Sequence, residues 1–164
     1  MHESSMAEMK AFAATLPAGL LRIADVGSSD VNGTYRQLFQ KPGWEYVGID
    51  TGPGPNVDVV VDRDYRWENI PDDSFDVVIS GQTLEHVRRP WLFVKALARI
   101  AKPGGRVCVI APHTVNYHPY PEDCWRIWPD GMIAVLEDAG LVGIATRKNA
   151  MDTVGTAVKP GEKP

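Results

Sequence analysis

The stretch "RIADVGSSDVNG", Arg22 to Gly33, decides the fold of this chain. The apolar residues Ile23, Ala24 and Val26 run into a turn opened by Gly27 and closed by Gly33, the form of a strand that ends in a ligand-binding loop. A dinucleotide loop spaces its glycines so that the backbone can approach a pyrophosphate at a helix N-terminus. Counted from Gly27, the later glycine positions of that pattern hold Ser29 and Asn32. Asp25 and Asp30 flank the turn, and carboxylates within a screening length of about 8 Å oppose a pyrophosphate while attracting a cation. The loop therefore suits a cationic nucleoside without phosphates.

Outward from this loop, helical and strand patterns alternate. Before it, Met6, Met9, Phe12 and Leu16 recur at helical spacing and Pro17 and Gly19 end the pattern, which predicts a helix over about residues 4–16. After it, Tyr35, Leu38 and Phe39 mark a short helix closed by "KPG", and "WEYVGID" reads as a second strand ending at Asp50. The loop "TGPGP" leads to a third strand, "VDVVVD", and "SFDVVISG" reads as a central strand buried on both faces. A helix with the apolar face Val94, Leu97, Ala98 and Ala101 is broken by "KPGG" before the fifth strand, "RVCVIAP". Residues 112–128 keep no period and are punctuated by prolines, so they form a long loop. Met132, Val135, Leu136 and Ala139 mark another helix, and "GIATRK" and "TVGTAVK" alternate as antiparallel strands around "NAMD".

This order predicts an α/β fold: a Rossmann-like, seven-stranded, mostly parallel sheet with helices on both faces and a C-terminal antiparallel hairpin, in a single domain over residues 1–164. Ligands of such sheets bind outside the carboxyl ends of the strands. The positions to inspect are Gly27–Gly33, Asp50, Asp62–Tyr65, Gly81–His86 and Pro112–Trp128.

Composition narrows the partners. The 164 residues are 44% hydrophobic and 23% charged, ordinary for a globular chain. A net charge of −4 without a basic patch gives no footprint for nucleic acid. No apolar run approaches the roughly 20 residues that cross a bilayer, so no membrane is expected. Cys108 and Cys124 form no ligand spacing, and the N-terminus has neither a basic nor an apolar targeting segment, so a reducing cytoplasm is the expected compartment. A homodimer is the assembly kept open.

S-adenosyl-L-methionine, with an ammonium, a sulfonium and a ribose, is a nucleoside of the kind the first loop suits. The segments that follow "IADVG" sharpen the match: Asp50 ends strand two, "IPDDSFDVVISGQTLEHV" runs through strand four, and "IAKPGG" turns into strand five. In this order and spacing the sequence resembles the class I S-adenosylmethionine-dependent methyltransferases, of the small type 11 kind, from about Arg22 to Lys159. It departs from the family's D-x-G-x-G-x-G by placing Ser29 and Val31 at the later glycines. Small members that share "VNG" and a segment like "YPEDCWRIWPDG", Tyr120 to Gly131, are nearer still.

The resemblance implies a set of roles. Gly27 offers its backbone to the cofactor and Asp50, about 25 residues beyond Asp25, accepts from both ribose hydroxyls. Asp25 either orients the ammonium or fixes the loop, and Asn32 either touches the cofactor or caps the next helix. Asp64 and Tyr65 align with the adenine-binding pair, with Asp62 as a competing register and a surface aromatic as the other reading of Tyr65. Gln82, after strand four, joins the cofactor-binding set. His86 and His113 are the candidate bases, with a cofactor-shelf role open for His86 and a solvated one for His113. Tyr120, Trp125 and Arg126 sit in a loop dense in aromatics, which implies a wall or lid over the acceptor. Arg126 either clamps an anionic group of the acceptor or pairs with Asp123 or Glu122, and the tryptophans either face the acceptor or pack the loop. His113, His118, Asp123 and Cys124 lack a closed ligand spacing, so no metal is expected.

The leading expectation is methyl transfer from S-adenosylmethionine to an oxygen or nitrogen of a small-molecule acceptor, such as a sugar or hydroxylated metabolite. The alternative is a catalytically silent cofactor-binding subunit that acts through a protein partner. A nicotinamide dehydrogenase fails on the glycine pattern. An amino-methyltransferase of DNA fails because "SGQT" stands where an Asn/Asp-Pro-Pro-aromatic shelf is needed.

Overall fold

The computed structural model describes residues 3–161; the ends of the expected 1–164 domain, residues 1–2 and 162–164, lie outside them. Within the described residues a sheet of seven strands forms in the order β3-β2-β1-β4-β5-β7-β6, the Rossmann-like arrangement the pattern predicts. The strands are β1 (Leu21–Val26), β2 (Trp44–Asp50), β3 (Val59–Val60), β4 (Phe75–Gly81), β5 (Ala101–Pro112), β6 (Val142–Lys148) and β7 (Asp152–Val158). The first five lie parallel, and β7 runs antiparallel between β5 and β6. The chain winds outward from β1 in one direction and from β4 in the other, so the crevice for a ligand opens at the carboxyl ends of those two neighbours.

Three α-helices cover the sheet: α1 (Glu3–Ala14), α2 (Pro90–Ile100) and α3 (Pro129–Asp138). On one face Met9, Phe12 and Ala13 of α1 close over Ile23, Val77, Ile79, Cys108 and Ile110. On the other, Phe93, Val94 and Leu97 of α2 and Met132 and Leu136 of α3 close over Ala24, Val26, Val78, Val107 and Val109. Alternate residues of the central strands therefore serve opposite cores, which is why β4 reads as an unbroken apolar run. Proline at the first turn of both α2 and α3 starts those helices without a side-chain cap.

Three elements differ from the sequence pattern. The helix after "VNG" is a single 3₁₀ turn, Arg36–Phe39. β3 keeps only two residues of "VDVVVD": Val57 turns back to Gly54, and Asp58 spends its carboxylate on the Gly48 amide at 2.7 Å. "KPGG" does not break the chain before β5 but forms an irregularity inside it. Ala101 already pairs with Phe75, the register slips before Arg106 meets Val77, and Gly104 takes φ +77° while its amide donates to Lys159.

Candidate active site

The turn after β1 is built by main-chain bonds. The amides of Gly27 and Ser28 both donate to the Ile49 carbonyl, at 2.8 and 3.2 Å, which pins the turn to the end of β2. Gly27 has φ +83°, and a Cβ there would stand 2.0 Å from Thr83 Oγ1, because the turns after β1 and β4 touch at this point. Asp50 is half-buried at the tip of β2. Its Oδ2 accepts the Ser29 amide at 2.9 Å and its Oδ1 the Thr51 amide at 2.6 Å, so the carboxylate is fixed against the glycine turn.

Beneath the turn, Asp25 is 2% exposed and accepts from the Tyr46 hydroxyl. Burial pushes its carboxyl up to about 7, against the opposing pull of the Tyr46 hydrogen bond. Asn56 braces the same corner by donating to the Ser28 carbonyl at 2.7 Å and to the Tyr46 oxygen at 3.1 Å. Asp30, not Asn32, closes the turn, accepting the Gly33 amide at 2.8 Å. Asn32 is exposed beside it, and the following 3₁₀ turn starts only after Tyr35, so the capping role read for Asn32 falls away.

On the β3–β4 side, Asp64 is exposed and bonded to Arg66, whose hydrogen bond lowers its pKa to about 2. Asp62 accepts the Asp64 amide at 3.1 Å, so the two competing registers are parts of one turn. Tyr65 is a half-buried residue at φ +67°, its ring edge-on to Phe93 at 6.3 Å. With Arg88 and Arg89 this turn lines a depression of about 500 Å³. Gln82, at φ +58°, turns its amide away to Asp152 at 3.0 Å.

The β4–β5 side of the crevice is assembled by side chains. The turn Leu84–His86 follows β4, and the Glu85 carbonyl takes the amides of Cys124 and Trp125 at 2.7 and 3.2 Å. His86 Nδ1 donates to the Glu122 carbonyl at 2.6 Å, Trp125 Nε1 donates to the Val87 carbonyl at 2.8 Å, and Arg88 pairs with the Glu122 carboxylate. Burial lowers the His86 pKa, which favours the neutral ring, and the Nδ1 bond leaves the lone pair of that ring to Nε2. His113 is buried: Nε2 donates to the Asn149 carbonyl at 3.2 Å, Nδ1 meets Thr114 Oγ1 at 2.6 Å, and the ring lies 4.8 Å from that of Trp128. It is not the solvated loop histidine of the alternative reading.

Arg126 resolves to the pairing alternative. Its guanidinium grips Asp123 at 2.6 and 2.7 Å and also donates to the carbonyls of Val115, Asn116 and Trp125, which occupies all five of its N–H groups. Asp123 is held well below the usual carboxylate range by that grip. Trp125 is 38% exposed and Tyr120 62%, so both present ring surface at the loop's outer side.

Sequence reasoning did not single out Tyr46 and Asn56, which brace the cofactor loop, or Glu85. Glu85 is fully buried, and among the described residues neither of its carboxylate oxygens has a hydrogen-bond partner. Burial raises its pKa to about 8. Its position beside His86 in "LEHV" was the available signal.

The methyltransferase domain family matches residues 24–109, from the heart of β1 to the middle of β5. A ubiquinone biosynthesis O-methyltransferase of Hahella chejuensis is 33% identical over 111 residues, 60% of this chain and 44% of the relative. The chain thus spans less than half the length of that relative. Among solved structures, 1,6-didemethyltoxoflavin-N1-methyltransferase of Burkholderia thailandensis, solved with S-adenosylhomocysteine, superposes with a TM-score of 0.74 at 15% identity. It covers 96% of this chain and 79% of that one. A SAM-dependent methyltransferase of Archaeoglobus fulgidus does so with a TM-score of 0.74 at 15% identity, covering 96% and 94%. The fold is that of the class I S-adenosylmethionine-dependent methyltransferases. The chain belongs to the methyltransferase domain family of type 11, whose methyl donor is S-adenosylmethionine.

Proposed function

We propose that this chain transfers a methyl group from S-adenosylmethionine to an oxygen or nitrogen of a small-molecule acceptor held under residues 113–128. One observation carries the reading: the Asp50 carboxylate is fixed by the Ser29 amide at the tip of β2, beside a turn that has Ser29 and Asn32 where a dinucleotide loop has glycine. A carboxylate in that place accepts from ribose hydroxyls. Gly27 then meets the cofactor through its backbone, Asp25 and its Tyr46 partner lie on the side of the ammonium, and Asp64 and Tyr65 flank the adenine.

Methyl transfer is an in-line displacement, so positioning supplies much of the rate. Of the two histidines, His86 makes its hydrogen bond through Nδ1 and has no such bond at Nε2 among the described residues, whereas both nitrogens of His113 are engaged, so His86 is assigned to the acceptor's proton. The relatives include an O-methyltransferase and an N1-methyltransferase, which supports both kinds of acceptor atom.

Calorimetry tests the first half of the reading. Binding of S-adenosylmethionine and its demethylated product, without binding of NAD, is expected. Tighter binding of NAD would refute it. A labelled-methyl screen over metabolite extracts then identifies the acceptor, and the absence of any labelled product with the cofactor bound would refute the transfer.

A further inference from the structure

Glu85, His86 and His118 bring one carboxylate oxygen and two imidazole nitrogens within 4.8 Å of one another, although His118 comes from the loop and the other two from the turn after β4. His86 Nε2 lies 3.7 Å from Glu85 Oε1 and His118 Nε2 lies 4.0 Å from the same oxygen. Donors of a tetrahedral ion bound at about 2.1 Å stand roughly 3.4 Å apart, so both nitrogens lie within about 0.6 Å of that separation from the carboxylate oxygen, and the whole set, within 4.8 Å, closes on an ion by side-chain rotation.

Two further features separate this cluster from a chance meeting of polar side chains. The first is the carboxylate: Glu85 is fully buried, and among the described residues neither oxygen has a hydrogen-bond partner, where buried acids are ordinarily satisfied. The second is the way the rings are held. His86 Nδ1 donates to the Glu122 carbonyl at 2.6 Å, and His118 Nδ1 donates to the Asn116 carbonyl at 2.9 Å with Asp123 Oδ2 at 3.4 Å. Each bond places the proton on Nδ1 and leaves the lone pair to Nε2, the nitrogen that approaches Glu85. This is the outer-shell arrangement by which metal-binding histidines are oriented. The Asp123 charge is met by Arg126, which leaves Glu85 as the unpaired acid facing the two rings.

We infer that Glu85, His86 and His118 form a binding site for a divalent transition-metal ion of the zinc class. Two imidazoles and one carboxylate are the donors that zinc and its neighbours favour over calcium or magnesium, and three protein ligands leave one coordination position open. The ligand set spans the turn after β4 and the aromatic loop, so the bound ion ties the loop to the sheet at the carboxyl end of β4. The Nε2 lone pair that would take the ion is the one assigned above to the acceptor's proton. Ion and proton compete for it, and the inference does not depend on which acceptor is methylated.

The test measures binding directly, on the full chain freed of metal by a chelator and titrated with Zn²⁺ against a chromogenic competitor, and with Co²⁺ by its visible spectrum. One equivalent is expected to bind, and His118→Ala and Glu85→Gln are each expected to weaken binding by at least about tenfold, the loss seen when even an outer-shell partner is removed. Cys124→Ser should leave it unchanged. The His118 side chain is 41% exposed, so His118→Ala keeps the fold, checked by its melt, and decides the matter even if Glu85→Gln does not fold. No stoichiometric binding by the wild type overturns the site. So does unaltered affinity in His118→Ala, or a loss in Cys124→Ser as large as in His118→Ala. None of these readings depends on methyl transfer, so a failure here is distinct from a failure of the proposed activity.

Discussion

The two sides of the crevice are fastened by different kinds of bond. At the β1–β2 side the turn closes mainly through its own amides, those of Gly27 and Ser28 on the Ile49 carbonyl, Ser29 on the Asp50 carboxylate and Gly33 on that of Asp30, with the Asn56 side chain as a brace. At the β4–β5 side the loop is fastened largely by side chains: Arg126 to Asp123, Trp125 to Val87, His86 to Glu122, and Arg88 to Glu122. On the proposed function the first construction positions the cofactor. The second can change its ligand by changing a few side chains, without disturbing a strand. Mutation should therefore separate the two sides cleanly.

The largest effect should come from the loop's charge pair. Asp123 is 1% exposed in its side chain, and Arg126→Ala leaves that carboxylate buried without its partner. Breaking such a pair from one end costs about 3–5 kcal/mol. The expected outcome is a lowered melting temperature and proteolytic cleavage within 113–128, with cofactor affinity retained in the folded fraction. An unshifted melt would mean that main-chain bonds hold the loop as they hold the other side.

The next test lies under the cofactor turn. Folded Asp25 takes its proton near pH 7, whereas the unfolded group takes it near 3.8, so between these values the folded chain binds the extra proton. Stability should therefore fall as pH rises from about 4 to about 7 and level off above it. Between pH 5 and 8 this single group accounts for about 2–3 kcal/mol. Denaturant melts of the wild type and Asp25→Asn at both pH values should show that fall in the wild type minus the variant. Glu85, also raised, acts in both proteins and cancels in the difference. Parallel curves would show that Asp25 is charged in the folded chain.

A third measurement asks whether the β2 tip belongs to the cofactor. Asp50→Ala should weaken S-adenosylmethionine binding by about 1.5–3 kcal/mol, the scale of hydrogen bonds to a charged group. Calorimetry on the folded variant decides, and an unchanged dissociation constant would remove Asp50 from the site.

The same contrast explains what could be read from the chain. The succession of strands and helices, the glycine turn and the place of Asp50 at the end of β2 follow from local periodicity, so they were legible without coordinates. β3 was read too long because the competing bond of Asp58 to Gly48 is a side-chain choice that no apolar pattern records. The bulge at "KPGG" was read as a break because proline and glycine punctuate both. Arg126 had two readings of equal standing, since its partner three residues back and a bound anion satisfy the same guanidinium. The Glu85, His86 and His118 cluster was out of reach: ligand spacing within one segment cannot reveal a site whose halves meet only after folding.

The smallest expected effect is the one that tests the loop's task most directly. Trp125 is 38% exposed, donates its indole N–H to the Val87 carbonyl at 2.8 Å, and meets Trp91 edge-on at 6.4 Å. A fully buried aromatic truncated to alanine costs about 3–5 kcal/mol, but a third of this ring's surface already faces solvent. With its one hydrogen bond also lost, Trp125→Ala should cost about 1–2 kcal/mol of stability. Cofactor affinity should stay within about twofold, because the ring is tied to the turn after β4 and not to the β1–β2 turn proposed to hold the nucleoside. Turnover should fall once an acceptor is known, through a weaker hold on that acceptor. A melt near the wild type with S-adenosylmethionine affinity intact keeps Trp125 on the acceptor side. A tenfold loss of cofactor affinity in a well-folded variant would instead place this ring over the nucleoside, and the division between a main-chain cofactor side and a side-chain acceptor side would have to be redrawn through the loop itself.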